Sequence, residues 1–351
     1  MNKKINVNDA LLILALIWSF SSAASVVAQS DFYKGKTLKV VVGTTAGSLY
    51  DLWARTVAAH LVRHIPGNPE SLVQNMPGAG HKVATNYMYN VAKPDGLTII
   101  GSILPGVYMD QLVGRPEVKY DWSKFVWIGS PVKSESQMTM RTDAGYKSID
   151  DIRNSKDPIR CGSTGTSGTD YMVSRLLEEI IPPLKIQSVL GYPGGPELDL
   201  AIERAEIFCR TFTIETFFAR EPYISWKKNG FVFNPFQTGR KRDARLADVP
   251  TLYEVMDRYK TPENGRRLAT VILANGALGR PIFTSPGTPS DRVKILRDAY
   301  EKMIRDPIFL DDIKKKKFEL EPISGAELET IVKEVMSQPP EIIERLKKLL
   351  S

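Results

Sequence analysis

Apolar positions along the chain follow two alternating patterns. Residues 38–42 form a short apolar run. Residues 50–65 come next, and Val57, Ala58, Leu61, Val62 and Ile65 fall on one helical face. The run predicts a strand and the spacing predicts a helix with one buried side. Pro66-Gly67-Asn68-Pro69 stops that helix. Residues 72–74 read as the next strand, 81–91 as a helix ended by Lys93-Pro94-Asp95-Gly96, and 98–103 as a third strand. The alternation then restarts. Strands are predicted at 137–141, 159–162, 186–190, 207–212 and 231–236, with helices at 148–154, 170–180 and 197–204. The last third is mainly helical, over 290–305, 307–316, 325–337 and 339–350. Such alternation builds open, mostly parallel sheets flanked by helices. The restart predicts an α/β protein of two lobes, one from residues 31–135 and 250–351, the other from 136–249, with the C-terminal helices returning to the first.

The N-terminus has a different pattern. Lys3 and Lys4 precede an apolar run over residues 10–20, small residues over 21–25, and Val26-Val27-Ala28. That order predicts a secretory signal over residues 1–28, cleaved after Ala28. The apolar run is too short for a spanning helix, which needs about 20 residues. Export implies an extracytoplasmic, periplasmic protein. With 42% hydrophobic residues the remainder can bury real cores. The formal charge of +7 suits an anionic partner, but the basic residues are scattered, which argues against nucleic acid. Lys314 to Lys317 follow Asp311 and Asp312 in a helical stretch and read as a solvated face. The two cysteines, Cys161 and Cys209, fall in predicted strands of one lobe. Export permits a disulfide, but adjacent strands do not guarantee its geometry, and two buried thiols are the reading adopted.

Three strand-to-helix turns are rich in Gly, Ser and Thr: residues 43–51, 75–81 and 162–170. Small residues let a ligand approach the backbone, and free N–H groups at a helix start favour an anion. In open α/β folds such turns gather where ligands bind, at the carboxyl ends of strands. Candidate ligand contacts are Thr44, Thr45, Ala46, Gly47, Ser48, Tyr50 and Asp51 from the first turn, and Gly78, Ala79, Gly80 and His81 from the second. Thr164, Gly165, Thr166, Ser167 and Gly168 come from the third, with Tyr192 beyond it.

Gly35-Lys36-Thr37 has the tail of a phosphate loop, but Ser30 stands where the first Gly belongs, and no turn has dinucleotide-binding spacing. Gly165-Thr166-Ser167-Gly168-Thr169 misses the nucleophile-elbow pattern at its last position. His60 and His64 lie four apart without the acidic partner of a zinc helix and read as surface residues. No catalytic set, metal site or cofactor motif emerges, so the chain reads as a binder rather than an enzyme.

Several segments together resemble the extracytoplasmic solute receptors of tripartite tricarboxylate transporters, the TctC or Bug family. They are Tyr50-Asp51-Leu52 with Ala54-Arg55, His64-Ile65-Pro66-Gly67-Asn68-Pro69, Gln74-Asn75-Met76-Pro77-Gly78-Ala79-Gly80, and Ala84, Asn86 and Tyr87. Gly165-Thr166-Ser167-Gly168, Gly191-Tyr192-Pro193-Gly194-Gly195, residues 246–252 and Ser285-Pro286-Gly287-Thr288-Pro289 follow in order. The resemblance implies a type II periplasmic binding-protein fold that closes on a small organic carboxylate (a di- or tricarboxylate, or an aromatic acid). It places one carboxylate on backbone N–H groups and water at the first two turns, and implies membrane permease subunits as partners. A ligand sensor of the same fold, or a hydrolase built on Ser167, are the other readings. The chain departs from the family at Ser48-Leu49, where a Gly-Gly pair is usual, and at His81, where another Gly is usual. It departs again at Ala205-Glu206-Ile207-Phe208-Cys209, which lacks a family acidic residue. These changes surround the expected pocket and point to an altered ligand, a more apolar or aromatic acid, with a receptor of decayed affinity as the other reading.

Overall fold

The structure is a computed structural model that describes residues 32–44, 46–163, 168–192 and 195–350. The predicted signal over residues 1–28 lies outside them. Among the described residues, eleven strands form two sheets. The first contains β1 (Thr37–Val42), β2 (Glu70–Asn75), β3 (Thr98–Ser102), β4 (Val126–Ser130), β10 (Ile282–Thr284) and β11 (Ile323–Ser324), in the order β11-β4-β10-β3-β1-β2. The second contains β5 (Ser136–Arg141), β6 (Ile159–Gly162), β7 (Ile186–Val189), β8 (Cys209–Thr213) and β9 (Val232–Phe233), in the order β7-β6-β8-β5-β9.

The expected α/β class with two helix-flanked sheets is present. Both sheets are mixed. β1 runs parallel to β2 and β3, but β10 is antiparallel to β3 and β4, and β11 is antiparallel to β4. In the second sheet β6 is parallel to β7 and β8, whereas β5 is antiparallel to β8 and β9. The parallel halves are the ones made by helical crossovers, where the alternation in sequence is clearest.

The first crossovers use α1 (Leu49–Leu61), α2 (Lys82–Asn90) and α3 (Val107–Leu112). Around the second sheet lie α4 (Ile149–Arg153), α5 (Thr169–Ile180), α6 (Gly195–Glu203), α7 (Ile214–Ala219) and α8 (Tyr223–Lys228). The chain ends with α9 (Leu252–Arg258), α10 (Glu263–Leu278), α11 (Ser290–Met303), α12 (Pro307–Lys315), α13 (Gly325–Met336) and α14 (Pro340–Leu350). α1 forms because Ser48 caps it, its Oγ accepting the Asp51 N–H at 3.2 Å, and because Trp53, Ala54, Val57, Ala58 and Leu61 make a fully buried stripe. A single turn of 3₁₀ helix, Val62–His64, takes up the rest of the predicted helix.

Several elements escape the sequence pattern. β4, β10 and β11 are short and mostly buried on both faces, so they show no alternation. α10 contains Gly265 and Gly276, which weaken its helical signal. The predicted strand at 231–236 shrinks to Val232–Phe233. The C-terminal helices divide. α11 and α13 pack on β4 of the first sheet, as expected, but α14 packs on α10 and α5 and pairs Arg345 with Glu179.

Cys161 and Cys209 are bonded, not free thiols. They sit opposite each other on parallel neighbours β6 and β8, with Cα atoms 4.6 Å apart, inside the range a disulfide spans.

α1 lies close against the first sheet because β3 carries Gly101 beneath it. A Cβ at Gly101 would come 2.3 Å from Val40 Cγ1 and 3.2 Å from Ala54 Cβ. Gly101→Ala is therefore predicted to overpack the contact and cost about 1–3 kcal/mol. The check is thermal or urea unfolding of the variant, and an unchanged midpoint would contradict this packing.

Candidate functional site

The first turn is organised by one carboxylate. Asp51 is 1% exposed. Its Oδ2 accepts the Gly47 N–H at 2.8 Å and Arg55 Nε at 2.9 Å. Its Oδ1 accepts Asn75 Nδ2 at 2.8 Å, and the same amide donates to Thr44 O at 2.9 Å. These bonds hold the Asp51 carboxyl below its usual range against the opposing effect of burial. Asp51 thus frames the turn by tying it to the end of β2. Ala46 and Gly47 are exposed at its tip. Thr45 lies outside the described residues.

The second turn is a run of left-handed residues. Gly78, Ala79, Gly80 and His81 have φ of 133°, 46°, 61° and 72°. This run carries the His81 ring back onto the first turn, where it meets Tyr50 edge-on with centroids 5.3 Å apart. His81 Nδ1 is buried without a hydrogen-bond partner, and burial pushes the imidazole down to about 4. The ring is neutral at physiological pH and serves as a filler between the two turns.

Of the third turn, residues 164–167 lie outside the described residues. Gly168 leads into α5, whose first turn carries buried Asp170, with Ser163 Oγ donating to its Oδ1 at 2.5 Å. Tyr192 is half-buried against the cluster that contains Leu198 and Ile207.

A cavity of about 250 Å³ opens where the two sheets meet. Its lining comes from the carboxyl ends of strands in both: Leu49 and Tyr50 beyond β1, Leu104 beyond β3, Thr169 and Met172 beyond β6, and Thr213 and Glu215 at the end of β8. Of the residues singled out in sequence, Tyr50 lines this cavity. Gly80 lines an adjoining one of about 230 Å³ that shares Leu104, Thr169, Met172 and Asn275. The other described candidates of the first two turns build those turns, Gly168 precedes α5, and Tyr192 packs on the cluster of Leu198 and Ile207.

Sequence reasoning missed the most informative residue, Arg280. It is 5% exposed and lines the cavity. Its backbone N–H donates to Ser130 Oγ at 2.9 Å. Its guanidinium lies 4.9 Å from the centre of the Tyr50 ring and 3.8 Å from the Glu215 carboxylate. Gly279 puts it there. With φ of 62° it ends α10, and a Cβ would strike Val132 O at 1.8 Å. Three buried polar atoms on the lining residues have no partner: Arg280 Nε, Asn275 Oδ1 and Ser134 Oγ. Buried polar atoms are seldom left unpaired, and here they converge on an open space.

The strands that cross between the sheets present alternate residues to opposite sides. Ser134, Ser136 and Thr238 line the cavity, whereas Lys133, Glu135 and Gln237 line a separate one of about 320 Å³. Glu135 is half-buried there and accepts Thr238 Oγ1 at 2.8 Å. His60 and His64 are not surface residues. α12 and its cap cover them, and their Nε2 atoms pair with Asp312 at 2.9 Å and Asp306 at 3.1 Å.

Two helix-flanked sheets joined by crossing strands around one cavity define the two-lobed fold of type II periplasmic binding proteins. The chain belongs to the tripartite tricarboxylate transporter receptor family (TctC), whose profile matches residues 54–348. It is 25% identical over 333 residues to a UPF0065 protein from the gbd 5′ region of Cupriavidus necator, covering 93% of this chain and 92% of that one. In fold it is similar to a ligand-free TctC solute-binding protein from Polaromonas, with a TM-score of 0.71, 18% identity, and 91% and 99% of the two chains covered. It is also similar to MatC from Rhodopseudomonas palustris with bound malate, with a TM-score of 0.55, 19% identity, and 90% and 99% covered.

Burial pushes the Glu135 carboxyl up to about 7, against the lowering fields of Lys133 and Arg240 and with Glu321 adding to the rise. A raised carboxyl favours the fold while protonated, so its contribution is full below its ordinary value and is lost as pH rises through about 7. The melting temperature of the wild type relative to Glu135→Gln is predicted to fall by a few degrees between pH 5 and pH 8. A pH-independent difference would contradict the assignment.

Proposed function

We propose that this protein is an extracytoplasmic solute-binding protein that captures a small organic carboxylate between two lobes and delivers it to membrane permease subunits of a tripartite tricarboxylate-type transporter. The observation that carries the reading is Arg280, a buried guanidinium with an unpaired Nε in a cavity built from both sheets. A planar guanidinium matches a carboxylate in two parallel hydrogen bonds. Ser134 and Ser136 add hydroxyls on the same lining. Family membership and the malate held by MatC support the same class of ligand.

In this reading residues 1–28 are the export signal, residues 31–135 with 250–351 form one lobe, and 136–249 form the other. Among the described residues no helix is long and apolar enough to cross a membrane. The ligand acts by closing the lobes, because Tyr50 and Glu215 approach Arg280 from different sheets. The two turns at 43–51 and 75–81 shape the cleft, and Tyr50 brings the first of them to the ligand.

The test is thermal shift against a panel of mono-, di-, tri- and aromatic carboxylates, with sugars and simple cations as controls. A ligand at a hundredfold excess over its Kd stabilises by about 2.7 kcal/mol, which is several degrees in a protein of this size. Carboxylates are predicted to raise the midpoint of the wild type but not of Arg280→Met. A response to sugars or cations alone, or an undiminished response in Arg280→Met, would overturn the reading.

A further inference from the structure

We propose that Glu215 makes this cavity a site for a zwitterion, a neutral α-amino acid with an apolar side chain, in preference to a di- or tricarboxylate. The inference rests on the reading that Arg280 holds a ligand carboxylate.

Among the described residues, Arg280 and Glu215 are the two charged side chains that line the cavity, one of each sign. At 3.8 Å they form an ion pair but are too far apart for a good hydrogen bond, so each keeps hydrogen-bonding capacity for a ligand. A ligand carboxylate on Arg280 leaves Glu215 facing the same small space. A second carboxylate there would meet a like charge in a poorly solvated site, which is strongly disfavoured. An ammonium would meet an opposite charge. Asn275 Oδ1, buried and unpaired on the same lining, is an acceptor that can take a further ammonium proton. Donors and acceptors are thus both present, as a zwitterion requires and a polyanion does not. Burial also pushes the Glu215 carboxyl above its usual range, a cost that a bound ammonium removes.

Beside the hydroxyls of Ser134 and Ser136, much of the wall is apolar. Leu49, Leu104, Met172, Val173, Ile272 and Leu273 surround the charged pair. They suit an aliphatic or aromatic side chain, and the described lining offers a second carboxylate hydroxyls but no second cation. The cavity of about 250 Å³ sits below the roughly 300–1,000 Å³ of drug-sized sites, which fits a molecule of amino-acid size.

Titration calorimetry would use L-leucine and L-phenylalanine, their deaminated analogues 4-methylpentanoate and 3-phenylpropanoate, and malate. The wild type is predicted to bind each amino acid at least tenfold more tightly than its deaminated analogue, and malate more weakly still. Glu215→Gln removes that preference and improves malate. Glu215→Asp, which keeps the charge, retains the preference and serves if the Gln variant fails to fold. If wild type binds the deaminated acids or malate at least as tightly as the amino acids, or Glu215→Gln weakens all ligands equally, the zwitterion inference is wrong while the carboxylate reading stands. If none of these acids binds, the carboxylate reading itself has failed.

Discussion

A guanidinium is held out of water between two sheets, and the arrangement of the cleft follows from that. Burying an unpaired charge costs several kcal/mol, so Arg280 must be compensated from several sides. Tyr50 offers the face of its ring from the first sheet, and Glu215 offers a carboxylate from the second. Ser130 fixes the backbone beneath it. None of these contacts saturates the side chain, since its Nε remains unpaired. A cation compensated enough to be buried but not enough to be silent is what a receptor for an anionic group needs.

The compensation also couples the sheets. Tyr50 stands at the start of α1, whose placement depends on the Asp51 frame and on the close approach over Gly101. Glu215 follows β8, which the Cys161–Cys209 disulfide ties to β6. Between them run the crossing strands, with Ser134 and Ser136 facing the ligand side and Glu135 facing away. In the proposed reading, a ligand that binds Arg280 acts on elements of both sheets at once, and so can favour one arrangement of them over another.

Much of this frame was legible in the sequence. Parallel strands linked by amphipathic helices announce themselves by periodicity, and the Gly-rich turns after β1 and β2 lie where the pattern placed them. What was not legible has a common cause. β10 is three residues long and buried, and Arg280 precedes it as one basic residue in Leu278-Gly279-Arg280-Pro281, a stretch with no periodic signal. Only the fold brings it to Tyr50, 230 positions earlier in the chain (280 − 50). Asp51 and His81 were visible as site residues, but their work could not be read. A carboxylate beside a Gly-rich turn can contact a ligand or brace the turn, and partner atoms decide which. Here Asn75, Arg55 and the Gly47 N–H occupy Asp51, while Gly43 and Tyr50 receive the His81 ring. His60 and His64 were misplaced for a similar reason, since the α12 that covers them comes more than 240 residues later, as the separations of 252 and 242 to their partners show.

The most direct measurement is a crystal structure of the protein with an acid that stabilises it. The account predicts one ligand carboxylate within hydrogen-bond distance of the Arg280 guanidinium, in the cavity lined by Tyr50, Ser134 and Glu215. Density for the ligand elsewhere, with Arg280 still turned only to Tyr50 and Glu215, would contradict it.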